Sequence, residues 1–138
     1  MPCETDETLV FAGDVQDDFG LGIAVCVSDR NLTIRYSGEG DPQAVSCRIG
    51  ACAGVIDFEH YVRYRLTIIT LAWRDENGAF KLTESLDTQN EGKEPVHIVT
   101  HSWSPEPGEF ADAEPLEYPV AAYTEPLSLL RLNDRNWP

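Results

Sequence analysis

The sequence predicts an all-β protein, an antiparallel meander that curls into a sandwich or an open barrel and ends in an irregular, proline-rich C-terminal segment. Two observations support this fold class. Short β-branched and apolar stretches alternate with turn-forming residues up to position 103. Six of the nine prolines then lie at position 105 or beyond, where they exclude long strands and helices. The 138 residues fit a single domain, with a β core over 7–103 and an acidic, proline-rich tail over 104–138 that docks on it.

Four strands are predicted in the first part of the chain. The turn residues 29–31 separate the second strand from the third, as in a β-hairpin. In the third strand Leu32, Ile34 and Tyr36 alternate with polar residues, so one face is expected to be buried and the other solvated. The four strands are predicted at residues 8–12, 21–28, 31–37 and, with a weaker pattern, 43–47.

Residues 58–73 give the strongest strand signal in the sequence. Their β-branched and aromatic side chains favour a strand over a helix. The alternation changes face between Ile68 and Ile69, so we predict a bulge or a strand break at that point. Two further strands, each preceded by a polar turn, are predicted at residues 80–86 and 96–103.

The tail begins at Ser104, where prolines and acidic residues become frequent. It carries seven acidic and two basic residues. We predict an extended acidic loop over 104–117, followed by short segments over 118–123 and 127–132 that dock on the sheet.

The net charge of −14, from 24 acidic and 10 basic residues, restricts the partners that the protein can bind. Phosphates would be repelled rather than neutralised, which excludes sequence-independent nucleic-acid binding as the main function and disfavours anionic membrane surfaces. No apolar run approaches the roughly 18 residues that a membrane-spanning helix needs. The acidic ends of the chain either keep a small β protein soluble or speed its encounter with a basic protein partner.

Four cysteines, Cys3, Cys26, Cys47 and Cys52, predict a disulfide framework, for which three pairings are possible. Cys47 and Cys52 are the easiest pair to close, because they are close in sequence and Gly50 can bend the chain between them, which leaves Cys3 to pair with Cys26. Free core thiols, a zinc site and a catalytic cysteine are the alternatives, although neither zinc-ligand spacing nor an activating context is present. Disulfides imply a periplasmic or secreted protein, and we expect that a signal peptide was removed.

No set of residues predicts an enzyme. The sequence lacks both the Gly-x-Ser-x-Gly elbow of a serine hydrolase and a glycine-rich phosphate loop. His97 and His101 lie on one predicted strand, where their spacing of about 13 Å is too large for a shared metal ion. Asp57 and Glu59 are expected on a solvated face, and no acid lies in an apolar strand context that would raise its pKa as acid catalysis requires. We therefore expect no catalysis, no metal and no cofactor.

The strongest candidate for a binding site begins where the last predicted strand ends. It comprises His101, Ser102, Trp103, Ser104 and Glu106. Pro105 and Pro107, on either side of Glu106, stiffen the chain. A stiff loop loses little entropy on binding, and tryptophan is a common interface anchor. The alternative is that Trp103 closes the core and the serines cap a turn.

Two motifs resemble those of small secreted bacterial β proteins, most of which are uncharacterised. Residues 24–36, AVCVSDRNLTIRY, are similar to their C-x-S-x-x-x-L-x-Y-R-Y-like hairpin, and residues 58–64, FEHYVRY, to their F-x-x-Y-x-R-Y-like strand. The resemblance covers residues 7–86 and implies a secreted β fold. In size, acidity and predicted disulfides the chain is also loosely similar to periplasmic inhibitors of cell-wall hydrolases. That class includes lysozyme inhibitors and the immunity proteins that neutralise type VI secretion amidases.

These observations predict a periplasmic inhibitor or immunity protein that blocks the active-site cleft of a basic peptidoglycan hydrolase. A type VI secretion amidase effector is the leading candidate for the partner. The candidate loop would plug the cleft, with its hydroxyls and imidazole bonded to a catalytic Cys or His and its indole in an adjacent pocket. The alternative is a small-ligand or glycan-binding β-barrel of the cell envelope, with a cup lined by Tyr61, Tyr64, Trp73 and Phe80.

Overall fold

The computed structural model describes residues 3–14, 22–38, 41–76, 78–88, 95–104, 116–117, 129–130 and 132. Within these residues the chain forms nine strands and no α-helix. The strands build a four-stranded and a five-stranded antiparallel sheet, each in chain order. They are β1 (Thr8–Asp14), β2 (Gly22–Val27), β3 (Asn31–Gly38), β4 (Asp41–Arg48), β5 (Ile56–Arg63), β6 (Leu66–Asp75), β7 (Gly78–Asp87), β8 (Val96–Ser104) and β9 (Leu116–Glu117).

The two sheets form a sandwich around one hydrophobic core, which confirms the predicted all-β meander. In the described part of the chain no strand of one sheet pairs with a strand of the other, so the sandwich is not a closed barrel. Burial of each large apolar side chain contributes about 1.5–3 kcal/mol to folding. The largest fully buried apolar side chains are Phe11, Val25, Val27, Leu32, Ile34, Ile56, Ile69, Leu71, Leu82, Leu129 and Leu132.

The first sheet closely follows the predicted strands. The turn between β2 and β3 is closed by Ser28 and Asn31: the Ser28 N–H donates to Asn31 O at 2.9 Å, and the Asn31 N–H donates to Ser28 Oγ at 3.1 Å. In β3 the side chains of Leu32, Ile34 and Tyr36 are buried, as their alternation predicts.

The prediction of one long element over 58–73 is wrong, because the chain reverses at Tyr64 and Arg65 and forms two strands, β5 and β6. Arg65 adopts φ 59°, a left-handed conformation that glycine or asparagine usually supplies in a turn, and neither residue is present to signal it. The register of β6 with both neighbours is regular through Ile68 and Ile69. The alternation changes there because β6 carries apolar residues on both faces: Ile69 is buried and Ile68 is half-buried.

Three aromatic rings close one end of the core. The Tyr36 ring centre lies 5.4 Å from that of Trp73 and 4.9 Å from that of Phe80. Trp73 and Phe80, which pair across β6 and β7, are stacked at 5.7 Å. The Tyr36 hydroxyl donates to Asp75 Oδ2 at 2.7 Å. Burial, together with the hydrogen bond to this carboxylate, raises the pKa of Tyr36 well above its ordinary value.

Both disulfides that the spacing favours are present. Cys3–Cys26 ties the N-terminal residues to β2, and Cys47–Cys52 closes the loop after β4. Gly50 bends that loop with φ 94°, which residues with a Cβ rarely adopt. A disulfide typically stabilises a fold by about 2–4 kcal/mol. The two bridges are consistent with an oxidising extracellular or periplasmic environment.

The C-terminal tail contributes side chains to the core. Leu129 and Leu132, from the last predicted docking segment, are buried in the core cluster. Two residues of the predicted acidic loop form β9 and pair with β8. Glu106, the rest of that loop and the predicted segment over 118–123 lie outside the described residues.

Candidate functional site

Exposed apolar side chains collect at one end of the second sheet. Seven large apolar residues of the described chain are exposed, and five of them lie at this end. The most exposed are Tyr64 at 77%, Val62 at 61% and Tyr61 at 54%. We refer to residues 61–65 as the hairpin tip. The five exposed residues are Tyr61, Val62, Tyr64, Val96 and Ile98.

The hairpin tip is exposed because β5 runs beyond the sandwich. Ile56 at the start of the strand is fully buried, Phe58 is half-buried, and every residue from Glu59 to Arg63 is exposed. Both faces of the strand are therefore accessible at the tip, including the face that enters the core at Ile56.

Two hydrogen bonds from Thr88, the residue after β7, hold the turn of the hairpin tip. Thr88 donates its N–H to Arg65 O at 2.8 Å and its hydroxyl to the same oxygen at 3.1 Å. The Arg65 guanidinium lies 5.0 Å from the centre of the Tyr64 ring, within the range of a cation–π contact. Arg65, the left-handed residue of the turn, is thus held both through its carbonyl oxygen and through its side chain.

Apolar residues of three strands lie next to the hairpin tip on the outer face of the second sheet. Tyr61 pairs with Ile68, and Ile98 occupies the same register row on β8. Leu66 and Val96 share the adjacent row. Because paired residues of antiparallel strands project from the same face, these five residues share the outer face, where Ser85 and Asp87 of β7 separate the apolar residues of β6 from those of β8. We refer to the five apolar residues as the outer apolar patch. Tyr61, Val96 and Ile98 are exposed, whereas Leu66 and Ile68 are half-buried. Exposed apolar side chains grouped on one surface are typical of interaction sites.

The hairpin tip differs in charge from the rest of the protein. Arg63 and Arg65 are both exposed there, in a chain with only 10 basic residues and a net charge of −14. Tyrosine and arginine are the residue types that most often anchor protein interfaces, since each combines a large contact area with hydrogen-bonding capacity. The tip is therefore a small cationic and aromatic projection on an acidic body.

A buried carboxylate that was not predicted from the sequence lies between the sheet and the tail. Glu84 on β7 is 0% exposed, and its Oε2 lies 2.7 Å from His97 Nε2. Its Oε1 accepts the Leu129 N–H at 3.4 Å. The sequence prediction placed no acid in an apolar strand context, but Glu84 occupies one, because Phe80, Leu82 and Glu84 lie at alternate positions on one face of β7. The pair ties β7, β8 and the C-terminal segment together.

The residues predicted to form a binding loop lie within β8 instead of beyond it. His101 pairs with Leu82 and Trp103 with Phe80, whereas Ser102 pairs with Lys81 and Ser104 with Ala79. Consecutive positions thus alternate between the two faces of the sheet. Ser102 is half-buried. Glu106 lies outside the described residues.

The four aromatic residues of the alternative ligand cup do not come together. Tyr61 and Tyr64 are exposed at the hairpin tip, whereas Trp73 and Phe80 are buried in the core. Trp73 pairs with Ile56, which lies five residues before Tyr61 on β5, about 16 Å along the strand.

His97 and His101 also occupy separate positions along β8, and His97 is engaged by Glu84. In the part of the chain that the structure describes, no three His, Cys, Asp or Glu residues are grouped so that they could hold a metal ion. The same residues include no helix that is long and apolar enough to span a membrane.

Comparison with known proteins identifies no relative on which to base a function. No protein-family model, curated protein or solved structure matches the chain.

Proposed function

We propose that this protein is a non-catalytic binding protein of the periplasm, an inhibitor or immunity protein that blocks the active-site cleft of a basic peptidoglycan hydrolase. The first candidate for the partner is an amidase effector of a type VI secretion system. The concentration of exposed apolar side chains at the hairpin tip and the outer apolar patch carries the proposal. We assign the contact to this surface, in place of the strand residues 101–104.

The shape of the hairpin tip suits insertion into a cleft. Two strands joined by a two-residue turn are only about 5 Å apart, so the tip is narrow. Tyr64 occupies its extremity and is the most exposed apolar residue described. The outer apolar patch then provides a flat surface that can rest on the rim of the cleft. A standard interface needs about 800 Å² per partner, roughly a tenth of the 8677 Å² surface of this protein.

The charge distribution supports a cationic partner. The acidic body would attract a basic enzyme over long range and speed the encounter. At short range Arg63 and Arg65 would meet carboxylates or carbonyl groups inside the cleft, where fork-like guanidinium hydrogen bonds give specificity. An acidic surface with a basic tip thus matches an enzyme with the opposite arrangement. The disulfides fit the oxidising compartment in which peptidoglycan hydrolases act.

Inhibition assays with purified candidate amidases and lysozymes test the proposal. We expect stoichiometric inhibition of one basic hydrolase, which weakens as salt is raised. Tyr64→Ala should raise the dissociation constant at least about tenfold, as expected for an interface hot spot. Val55→Ala is the matched control, because Val55 is also exposed but lies outside the tip and patch.

Two results would count against the proposal in different ways. Unchanged affinity of Tyr64→Ala and Tyr61→Ala for a hydrolase that the native protein inhibits would exclude the hairpin tip as the contact. If Ser102→Ala lost affinity for that hydrolase instead, the contact would lie on β8. Failure to bind any basic hydrolase, from a folded protein with both disulfides intact, would overturn the proposed function.

Glycan binding is the second candidate, and the exposed rings of Tyr61 and Tyr64 favour it, since aromatic faces also stack on sugars. Calorimetric titration with soluble muropeptides distinguishes it. Fluorescence of Trp73 would not report on this site, because Trp73 is buried at the opposite end of β6. Heat of binding that Tyr64→Ala abolishes would support a glycan site, whereas the inhibitor proposal predicts none.

A further inference from the structure

β5 is an edge strand without the features that protect other edges of this protein. β1 contains a register shift between Leu9 and Phe11, β4 contains Pro42, and β9 covers part of β8. β5 has no proline and pairs with β6 in regular register from Ile56 to Arg63. Among the described residues no strand pairs with its other edge. Such a regular edge is a template for a further strand.

The side chains of β5 are arranged so that the strand is complementary to itself. Its exposed part begins with the acidic Glu59 and ends with the basic Arg63, and both lie on the outer face with Tyr61 midway between them. When such a strand meets its own copy in antiparallel orientation, each acid faces a base. A parallel arrangement in register would instead place like charges together.

We propose that two copies of this chain pair through their β5 strands, antiparallel about a twofold axis at Tyr61. The two five-stranded sheets then become one continuous sheet. Glu59 of each copy faces Arg63 of the other, the two Tyr61 rings form a cross-strand aromatic pair, and each His60 faces Val62 on the opposite face of the sheet. The interface is isologous, so every favourable contact occurs twice.

The other registers are less favourable. An axis at Val62 would pair only the last three residues of β5, whereas the axis at Tyr61 pairs five. A twofold axis at Glu59 would place two carboxylates opposite each other. An axis at His60 would place Asp57 opposite Arg63, but Asp57 Oδ1 already accepts the Gly54 N–H at 3.0 Å and holds the loop before β5. The axis at Tyr61 uses only Glu59 and Arg63 for its ion pairs and also joins the outer apolar patches of the two copies.

This pairing goes beyond the proposed function, because it needs no partner enzyme. It uses Tyr61 and Arg63 of the hairpin tip and leaves Tyr64 and Arg65 at the turn. A second copy and a partner enzyme would therefore compete for Tyr61 and Arg63, while inhibition assays at low protein concentration would report on the monomer alone.

Sedimentation-velocity and light-scattering measurements of the full chain across a concentration series test the proposal. We expect a reversible monomer–dimer equilibrium in the native protein. Glu59→Arg and Arg63→Glu should each raise the dimer dissociation constant at least about tenfold, because each places like charges opposite one another. An equimolar mixture of the two variants should regain the native affinity, since each variant then faces its complement.

The matched control is Arg48→Glu, which reverses an exposed arginine on another edge strand, β4, and should leave the dimer unchanged. Regained dimerisation in the mixture excludes misfolding as the cause of the losses. A native protein that stays monomeric up to about 1 mM would overturn the proposal. Two further results would also overturn it. One is a dimer of native affinity in each of the single variants Glu59→Arg and Arg63→Glu, and the other is an equimolar mixture of these variants that remains monomeric. None of these results bears on hydrolase inhibition.

Discussion

The two ends of the β5–β6 hairpin carry similar side chains in opposite environments. At one end Ile56 and Trp73 pair across the strands and are buried, and Tyr36 of the first sheet packs against Trp73. At the other end Tyr61 and Tyr64 are exposed. Aromatic content alone therefore does not distinguish the buried core from the exposed surface. Whether a side chain is buried depends on its position along the strand relative to the opposing sheet, because it is buried only where that sheet lies over it.

The largest expected effect separates these two ends directly. Trp73→Ala should lower the free energy of unfolding by about 3–5 kcal/mol, because it leaves a large cavity beside Tyr36 and Phe80. Tyr64→Ala should change it by less than about 0.5 kcal/mol, because the side chain is exposed. Urea denaturation of both variants checks the contrast. Equal losses would mean that the hairpin tip is covered in solution.

A smaller loss of unfolding free energy is expected midway between the two ends of the β5–β6 hairpin, where Glu84 on the neighbouring strand β7 connects the sheet to the tail. Glu84→Ala leaves the Leu129 N–H and the His97 ring without their acceptor and should cost about 1–3 kcal/mol. Glu76→Ala, the removal of an exposed turn carboxylate, is the control and should be nearly neutral. Limited proteolysis gives a second readout, since release of the C-terminal segment should make it more susceptible. Native resistance of the Glu84→Ala protein would show that apolar packing alone holds this segment.

The smallest effect sharpens the description of the buried end. Tyr36→Phe removes the hydrogen bond to Asp75 and should cost about 1 kcal/mol at pH 7. The pKa of Tyr36 is raised in the folded protein, so its contribution to stability is complete below the pKa of an unfolded tyrosine, about 10, and is lost as the pH rises further. The difference in unfolding free energy between the native protein and Tyr36→Phe should therefore shrink above about pH 10. A difference that stays constant to pH 12 would contradict the raised pKa of Tyr36 in the folded protein.

The sequence was sufficient for the strands whose patterns are local. The alternation of Leu32, Ile34 and Tyr36 identifies the buried face of β3, and the cysteine spacing indicates the disulfide pairs. The reversal of the chain at Tyr64 and Arg65 could not be predicted from the sequence, since neither residue type signals a left-handed turn. The turn is held instead by hydrogen bonds from Thr88, which is distant in sequence.

The candidate site was harder to predict than the fold. The stretch from His101 to Ser104 has the composition of a binding loop, but its ladder with β7 continues to Ser104 and keeps it within a strand. Exposure of Tyr61 and Val62 depends on how far β5 extends beyond the opposing sheet, and local alternation carries no information on that distance. Glu84 is the exception. Its place in the alternation with Phe80 and Leu82 was a signal available in the sequence.

The connectivity of the two disulfides has a consequence for how the chain matures. Cys3 bonds to Cys26 and Cys47 to Cys52, so each cysteine pairs with its next neighbour in sequence and the two loops do not overlap. A chain that enters an oxidising compartment with its N-terminus first would form the native pairs if each cysteine reacted with the next to arrive. All four cysteines precede β5. Oxidation can therefore be complete before the second sheet emerges, and we expect maturation to need oxidation alone, without isomerisation of wrong pairs.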